Sequence, residues 1–208
     1  MFRSSSLAAF LAILITVFTA CSEPPATRAQ QPRTNTSVQA LSEPQVTKAQ
    51  RPRSNASVQA LASLIDPAKL DTLKSDRAAN PRLRKACYWL HVAQVDGITP
   101  ASVVDATGHA RTPRGQLAKE ALLRNLTILQ RLGCLTEANL AKLRRGRAPI
   151  ITRGPYAGEI AEVDHIVPVS KAPRFENWIG NLEFMPRTLN RRKSNKMGER
   201  QRSHLARL

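Results

Sequence analysis

Acidic residues are scarce in this 208-residue chain. Fifteen Asp and Glu face 32 Lys and Arg, a formal charge of +17 with a pI near 11.1. Such an imbalance argues against an acidic or neutral surface and points to a polyanionic partner: nucleic acid, anionic lipid or acidic polysaccharide. The plainer alternative is a basic surface with no specific role. Aromatic residues make up only 4%, which argues against a stacking platform for single-stranded bases. The apolar run from Leu7 to Ala20 is shorter than the roughly 20 residues of a membrane span. Cysteine is limited to Cys21, Cys87 and Cys134, and no CxxC pair occurs.

The short apolar run follows Arg3 and fits the core of a signal peptide over residues 1–20. It ends in Phe18-Thr19-Ala20-Cys21, which resembles the lipobox of bacterial lipoproteins, although Phe18 replaces the usual Leu. The resemblance implies lipidation of Cys21, hence an exported protein anchored to a membrane and facing the periplasm or exterior. Ordinary cleavage near Ala20 is the alternative. In an oxidising compartment Cys87 and Cys134 could pair; equally, they could be two small buried hydrophobes.

After Cys21 the chain repeats itself. SEPPATRAQQPRTNTSVQAL (22–41) and SEPQVTKAQRPRSNASVQAL (42–61) agree at 14 of 20 positions. Their polar, Pro-containing composition offers too little apolar surface to offset the entropy of ordering. Residues 21–61 are therefore expected to be a disordered tether, with an end-to-end distance of roughly 30–40 Å.

Residues 62–147 read as a helical supporting region. One helix is expected from Pro81 to before Gly97, with Leu83, Cys87, Leu90 and Val92 on its apolar face. The clearest amphipathic segment is Gln116 to Leu132. Ala118, Leu122, Leu126 and Leu129 share one face, with Lys119, Arg124 and Arg131 outside it. Gly133 suits a helix stop, and Thr136 the N-cap of a helix reaching about Arg145. A helix-turn-helix around Gly133 is conceivable; a supporting bundle is the more ordinary expectation.

In residues 148–208 the pattern changes to short strands (150–152 and 158–163), the segment DHIVPVS, a loop from Lys171 to Gly180, NLEFMP, and a basic helical tail. Phosphodiester hydrolysis needs an activated water and charge neutralisation at the phosphate. His165 can serve as a base near neutral pH. Asp164 is a hard oxygen donor suited to Mg2+.

An Asp-His pair is weak on its own, but EVDHIVPVS, GNLEFMP and RTLNRRKSNK occur together. This run resembles the HNH (His-Asn-His) endonucleases of the ββα-metal fold, and EVDHIVP looks very like the HNH domain of CRISPR effector proteins. His165 matches the first His, Asn181 the central Asn, and Asn190 the third position, at spacings of 16 and 9 residues. Asp164, Pro168, Leu182 and Lys193 complete the match.

The resemblance implies His165 as general base and Asn181 as a supporting hydrogen-bonder across the His loop. It implies one divalent cation held by Asp164 and Asn190, with Mg2+ expected and Mn2+ an alternative. Arg191, Arg192 and Lys193 would neutralise phosphates; a solvated helix end is the alternative reading for at least one. Many relatives carry CxxC zinc pairs, but Pro186 and Leu189 stand there, so no structural zinc is expected. Leu182, Phe184, Met185, Leu189 and Trp178 would supply a small core instead, leaning on the helical region.

The fold expected is α+β, with helices packed on a ββα-metal motif. The function expected is a monomeric exported nuclease acting on DNA, with no small-molecule cofactor. A non-catalytic envelope protein binding DNA or another polyanion is the alternative. A protein of the anionic membrane surface is a third possibility, weakened by the scatter of basic residues away from Cys21. His91, His109, His204 and Glu183 read as structural or surface residues, Glu183 as an ion-pair partner of a neighbouring Arg.

Overall fold

Helix α1 (Asn55–Ile65) starts inside the second repeat rather than after it. Val58, Leu61, Ala62 and Ile65 recur at three- and four-residue spacing, so one stripe faces inward; Ala62 and Ile65 are buried and Val58 and Leu61 pack beside them. Residues 55–61 thus belong to the folded part, contrary to the expected tether boundary. The computed structural model describes residues 55–67 and 76–208, without the side chains of 76–79. The expected signal segment, Cys21 and the repeats up to residue 54 lie outside the described residues. Among the described residues no helix is long and apolar enough to cross a membrane.

Helix α2 (Asp76–Val95) begins five residues before the expected start and carries Pro81 within it. Leu83, Ala86, Cys87, Leu90 and Ala93 are its buried residues. Val92 is only half-buried; Ala93 takes the inward place expected for it. Helix α3 (Pro100–Ala106) and a short 3-10 turn lead to α4 (Pro113–Arg131). Helix α4 starts three residues earlier than its apolar pattern, because Thr112 caps it and Pro113 occupies its first turn. The Thr112 hydroxyl accepts from the Gly115 N–H at 3.0 Å.

The expected face of α4, Ala118, Leu122, Leu126 and Leu129, is buried. Gly133 stops the chain with φ +68°, and a β-carbon there would lie 2.3 Å from Thr152 Oγ1. Helix α5 (Glu137–Arg144) then packs on α2. Cys87 and Cys134 are both free and buried. Burial raises the Cys87 thiol pKa and pushes that of Cys134 up to about 11, so both behave as small hydrophobes.

The sheet has two antiparallel strands, β1 (Ala161–His165) and β2 (Leu182–Pro186), in the register Ala161 opposite Pro186 to His165 opposite Leu182. The segment expected as a strand at 150–152 contributes only an isolated bridge between Ile150 and Ile160. Two short 3-10 turns lie in the intervening loop. Helices α6 (Arg187–Lys193) and α7 (Glu199–Arg207) close the chain. The class is α+β.

Two strands cannot satisfy all their own backbone groups, and helix asparagines complete them. Asn125 of α4 donates to Leu182 O at 2.9 Å and accepts from Phe184 N at 2.8 Å, along the edge of β2 away from β1. Asn139 of α5 treats Ile150 the same way, at 2.7 and 2.9 Å. Both side chains are buried. A carboxamide has one donor side and one acceptor side, so it can stand in for a neighbouring strand.

Helices and sheet share one apolar core, running from Ile65 and Leu83 through Leu122 and Leu129 to Leu182 and Phe184. Of the small core expected around the motif, Trp178, Leu182 and Phe184 are buried. Leu189 is 36% exposed and Met185 half-buried. Together they line an open cavity of about 560 Å³ with Ile128 of α4 and Leu132 just after it. The seven-residue α6 turns Leu189 to this surface instead of the interior.

Candidate nuclease site

Helix α6 is too short to be stable alone. Acidic residues in and just before β1 hold it. Glu159 accepts from the Thr188 N–H at 3.0 Å and the Thr188 hydroxyl at 2.7 Å. Glu162 accepts from Arg187 Nε at 2.8 Å and Asn190 Nδ2 at 3.0 Å. Asp164 accepts from Lys193 Nζ at 2.5 Å. The pairs advance together along strand and helix, so α6 runs alongside β1 in the same direction.

The spacing suits this arrangement. Glu162 and Asp164 are two apart on a strand and share a face, about 6.6 Å along it. Asn190 and Lys193 are three apart on a helix, about 4.5 Å along it, and also share a face. Asn190 and Asp164 therefore sit on neighbouring rungs.

The charges agree with the geometry. Burial pushes the Glu162 carboxyl pKa up, but hydrogen bonds from Arg187 and Asn190 outweigh it and keep the group below the usual carboxylate range. Hydrogen bonds from Thr188 do the same for Glu159.

His165 ends β1, on the strand face opposite Asp164. Its Nε2 lies 2.7 Å from the main-chain oxygen of Glu176. A carbonyl only accepts, so Nε2 carries the proton and Nδ1 of the neutral ring is left as the acceptor. Directly after it the chain bends, and Ile166 N donates to Asn181 O at 2.7 Å.

Asn181 is fully buried. Its carboxamide accepts from Val167 N at 2.8 Å and donates to Val167 O at 3.0 Å, with a longer contact of 3.5 Å to Phe175 O. It thus ties together the two ends of the loop that leaves His165. Gly180, just before it, lies under Trp178; a β-carbon there would be 2.8 Å from the indole.

The basic trio divides. Arg191 and Arg192 are exposed. The Lys193 side chain is only 14% exposed. Its ammonium bonds both Asp164 and the main-chain oxygen of His165. In this state it serves the candidate cation ligand rather than facing solvent phosphate.

Arg124, expected on the outer face of α4, instead reaches Gly180 O and Leu182 O at 3.4 Å, and burial lowers its pKa. Glu183 pairs with Arg200 of α7 through two hydrogen bonds. His204 Nε2 donates to Gly180 O at 3.0 Å. Helix α7 is thereby strapped across β2 and the residue preceding Asn181.

Glu159, Glu162 and Asn125 escape a motif-based reading. The two carboxylates resemble ordinary surface charges until α6 is laid along β1. The signal for Asn125 is a polar residue within the inward stripe of α4. Among the described residues no three His, Cys, Asp or Glu side chains converge as a metal cluster. Comparison of the chain with protein families, with curated proteins and with solved structures finds no match.

Proposed function

We propose that the chain is an exported, lipid-anchored HNH endonuclease that hydrolyses phosphodiester bonds of DNA with little sequence preference, using one divalent cation. The observation that carries this reading is the state of His165. Its Nε2 is committed to the Glu176 carbonyl, which leaves Nδ1 as a base one residue from a carboxylate that already attracts a cation.

The residues fit such a cation. The Lys193 ammonium rests on Asp164 and His165 O, oxygens that therefore accept positive charge. Asn190 has its NH2 engaged with Glu162, leaving its carbonyl oxygen as a second hard donor. One carboxylate and an amide oxygen, completed by water and phosphate, match the way Mg2+ is commonly held. When bound, the cation would neutralise charge on the phosphate and support the leaving oxygen.

The chain's own residues do the rest. His165 takes a proton from the attacking water through Nδ1. Asn181 fixes the loop that leaves His165. Arg191 and Arg192 meet the flanking phosphates as charge-assisted donors. The large positive charge supports broad backbone contact, and no base-reading element is evident in the sequence.

The test is incubation of the mature protein with plasmid and Mg2+ or Mn2+, with His165→Ala beside it. Cleavage by the wild type and its loss in the variant are expected. The Lys193–Asp164 pair and the net charge also suit a non-catalytic protein that binds DNA or another polyanion. That reading predicts binding with a steep salt dependence and no metal-dependent cleavage.

A further inference from the structure

Glu162 lies outside the His-Asn-Asn motif, yet both of its carboxylate oxygens are engaged at the site. Oε1 takes Arg187 Nε at 2.8 Å and Oε2 takes Asn190 Nδ2 at 3.0 Å. The side chain is 28% exposed, so solvent competes only in part. We propose that Glu162 is a positioning residue that sets the orientation of the Asn190 carboxamide toward the cation. The proposal rests on the nuclease reading above and deepens it.

The reason is chemical. A carboxamide has two nearly isosteric ends, one donating and one accepting. Facing a cation, only the oxygen end is useful; the NH2 end would repel it. An ionised carboxylate accepts only, so it holds the NH2 and turns the oxygen away from itself. Arg187 supplies the second constraint: it claims one carboxylate oxygen and fixes which one remains for Asn190. Outer hydrogen bonds of this kind typically alter metal affinity by about 10–100-fold when removed.

The same logic gives a test that separates orientation from charge. Glu162→Gln is isosteric. With Arg187 still donating to the carbonyl oxygen of the substituted side chain, the new NH2 faces Asn190 and favours the wrong end of that amide. Asn190→Asp removes the ambiguity, since both ends of a carboxylate are oxygens, and the introduced NH2 then has an acceptor.

Mn2+ alone is titrated into the full-length protein and followed by calorimetry or electron paramagnetic resonance, with circular dichroism to confirm folding. Expected is a roughly tenfold or greater weakening in Glu162→Gln, and recovery to wild-type affinity or better in Glu162→Gln/Asn190→Asp. Equal weakening by Glu162→Gln in both backgrounds would make Glu162 a ligand or a charge, not a positioner, and overturns the proposal. Unchanged affinity in Glu162→Gln overturns it too. A wild type that binds no Mn2+, or an Asp164→Ala that binds it equally well, brings down the metal reading and this proposal with it.

Discussion

The ammonium of Lys193 lies where a cation for Asp164 would be drawn, bonded to that carboxylate and to His165 O. Two cations cannot share this position without strong repulsion. Lys193→Met, which nearly keeps the length of the side chain, is therefore expected to tighten Mn2+ binding several-fold in calorimetric titration. Unchanged or weaker binding would mean that Lys193 and the metal do not compete.

At this scale the motif is legible, because Asp164, His165, Asn181 and Asn190 stand at recognisable spacings. Their partners are not. That Lys193 faces Asp164 rather than solvent, and that Glu162 holds Asn190, depends on the direction of α6 along β1, which neither periodicity nor motif spacing specifies.

Among the elements, β2 depends on α4 for hydrogen bonds it cannot obtain from a third strand. Asn125→Ala would leave the buried Phe184 N–H without this partner, at about 1–3 kcal/mol for an unsatisfied group, while Leu182 O keeps its longer contact with Arg124. Loss of about 1–3 kcal/mol of stability is expected in chemical denaturation, whereas an exposed control such as Gln94→Ala should change little.

The helices are readable in outline from apolar spacing, and α4 matches its expected face residue by residue. Their starts are harder. Helix α4 begins at a Thr-Pro pair outside its apolar pattern, and α2 runs through Pro81 instead of starting there. Helix α1 is hidden because its first half lies in a repeat of disordered composition. Only Ala62 and Ile65, which follow the second copy where Ser42 and Gln45 follow the first, complete its stripe.

For the molecule as a whole, two histidines favour the neutral form. Burial lowers the pKa of His91, whose Nδ1 is buried without a partner, and of His204, strapped to Gly180. With the folded pKa below the unfolded one, the unfolded chain binds more protons as pH falls below about 6.5, so stability is lost on acidification. Glu159 and Glu162, whose pKa values are also lowered, add a further loss as pH falls through the ordinary carboxylate range and below it. Tm should fall between pH 7 and pH 5, and His204→Gln, which retains a donor for Gly180 O, should reduce that fall. An identical fall in the variant would remove His204 from the account.

On the proposed reading, the charge of the whole chain recruits a polyanion and the His-Asn-Asn site cuts it. The most direct measurement is conversion of supercoiled plasmid by the mature protein with Mg2+ or Mn2+, alongside His165→Ala and a chelator control. Nicking and linearisation by the wild type, lost with chelator and reduced at least about a hundredfold by His165→Ala, is the predicted result. Cleavage that persists unchanged in His165→Ala, or binding to DNA with no cleavage under any divalent metal, would contradict it.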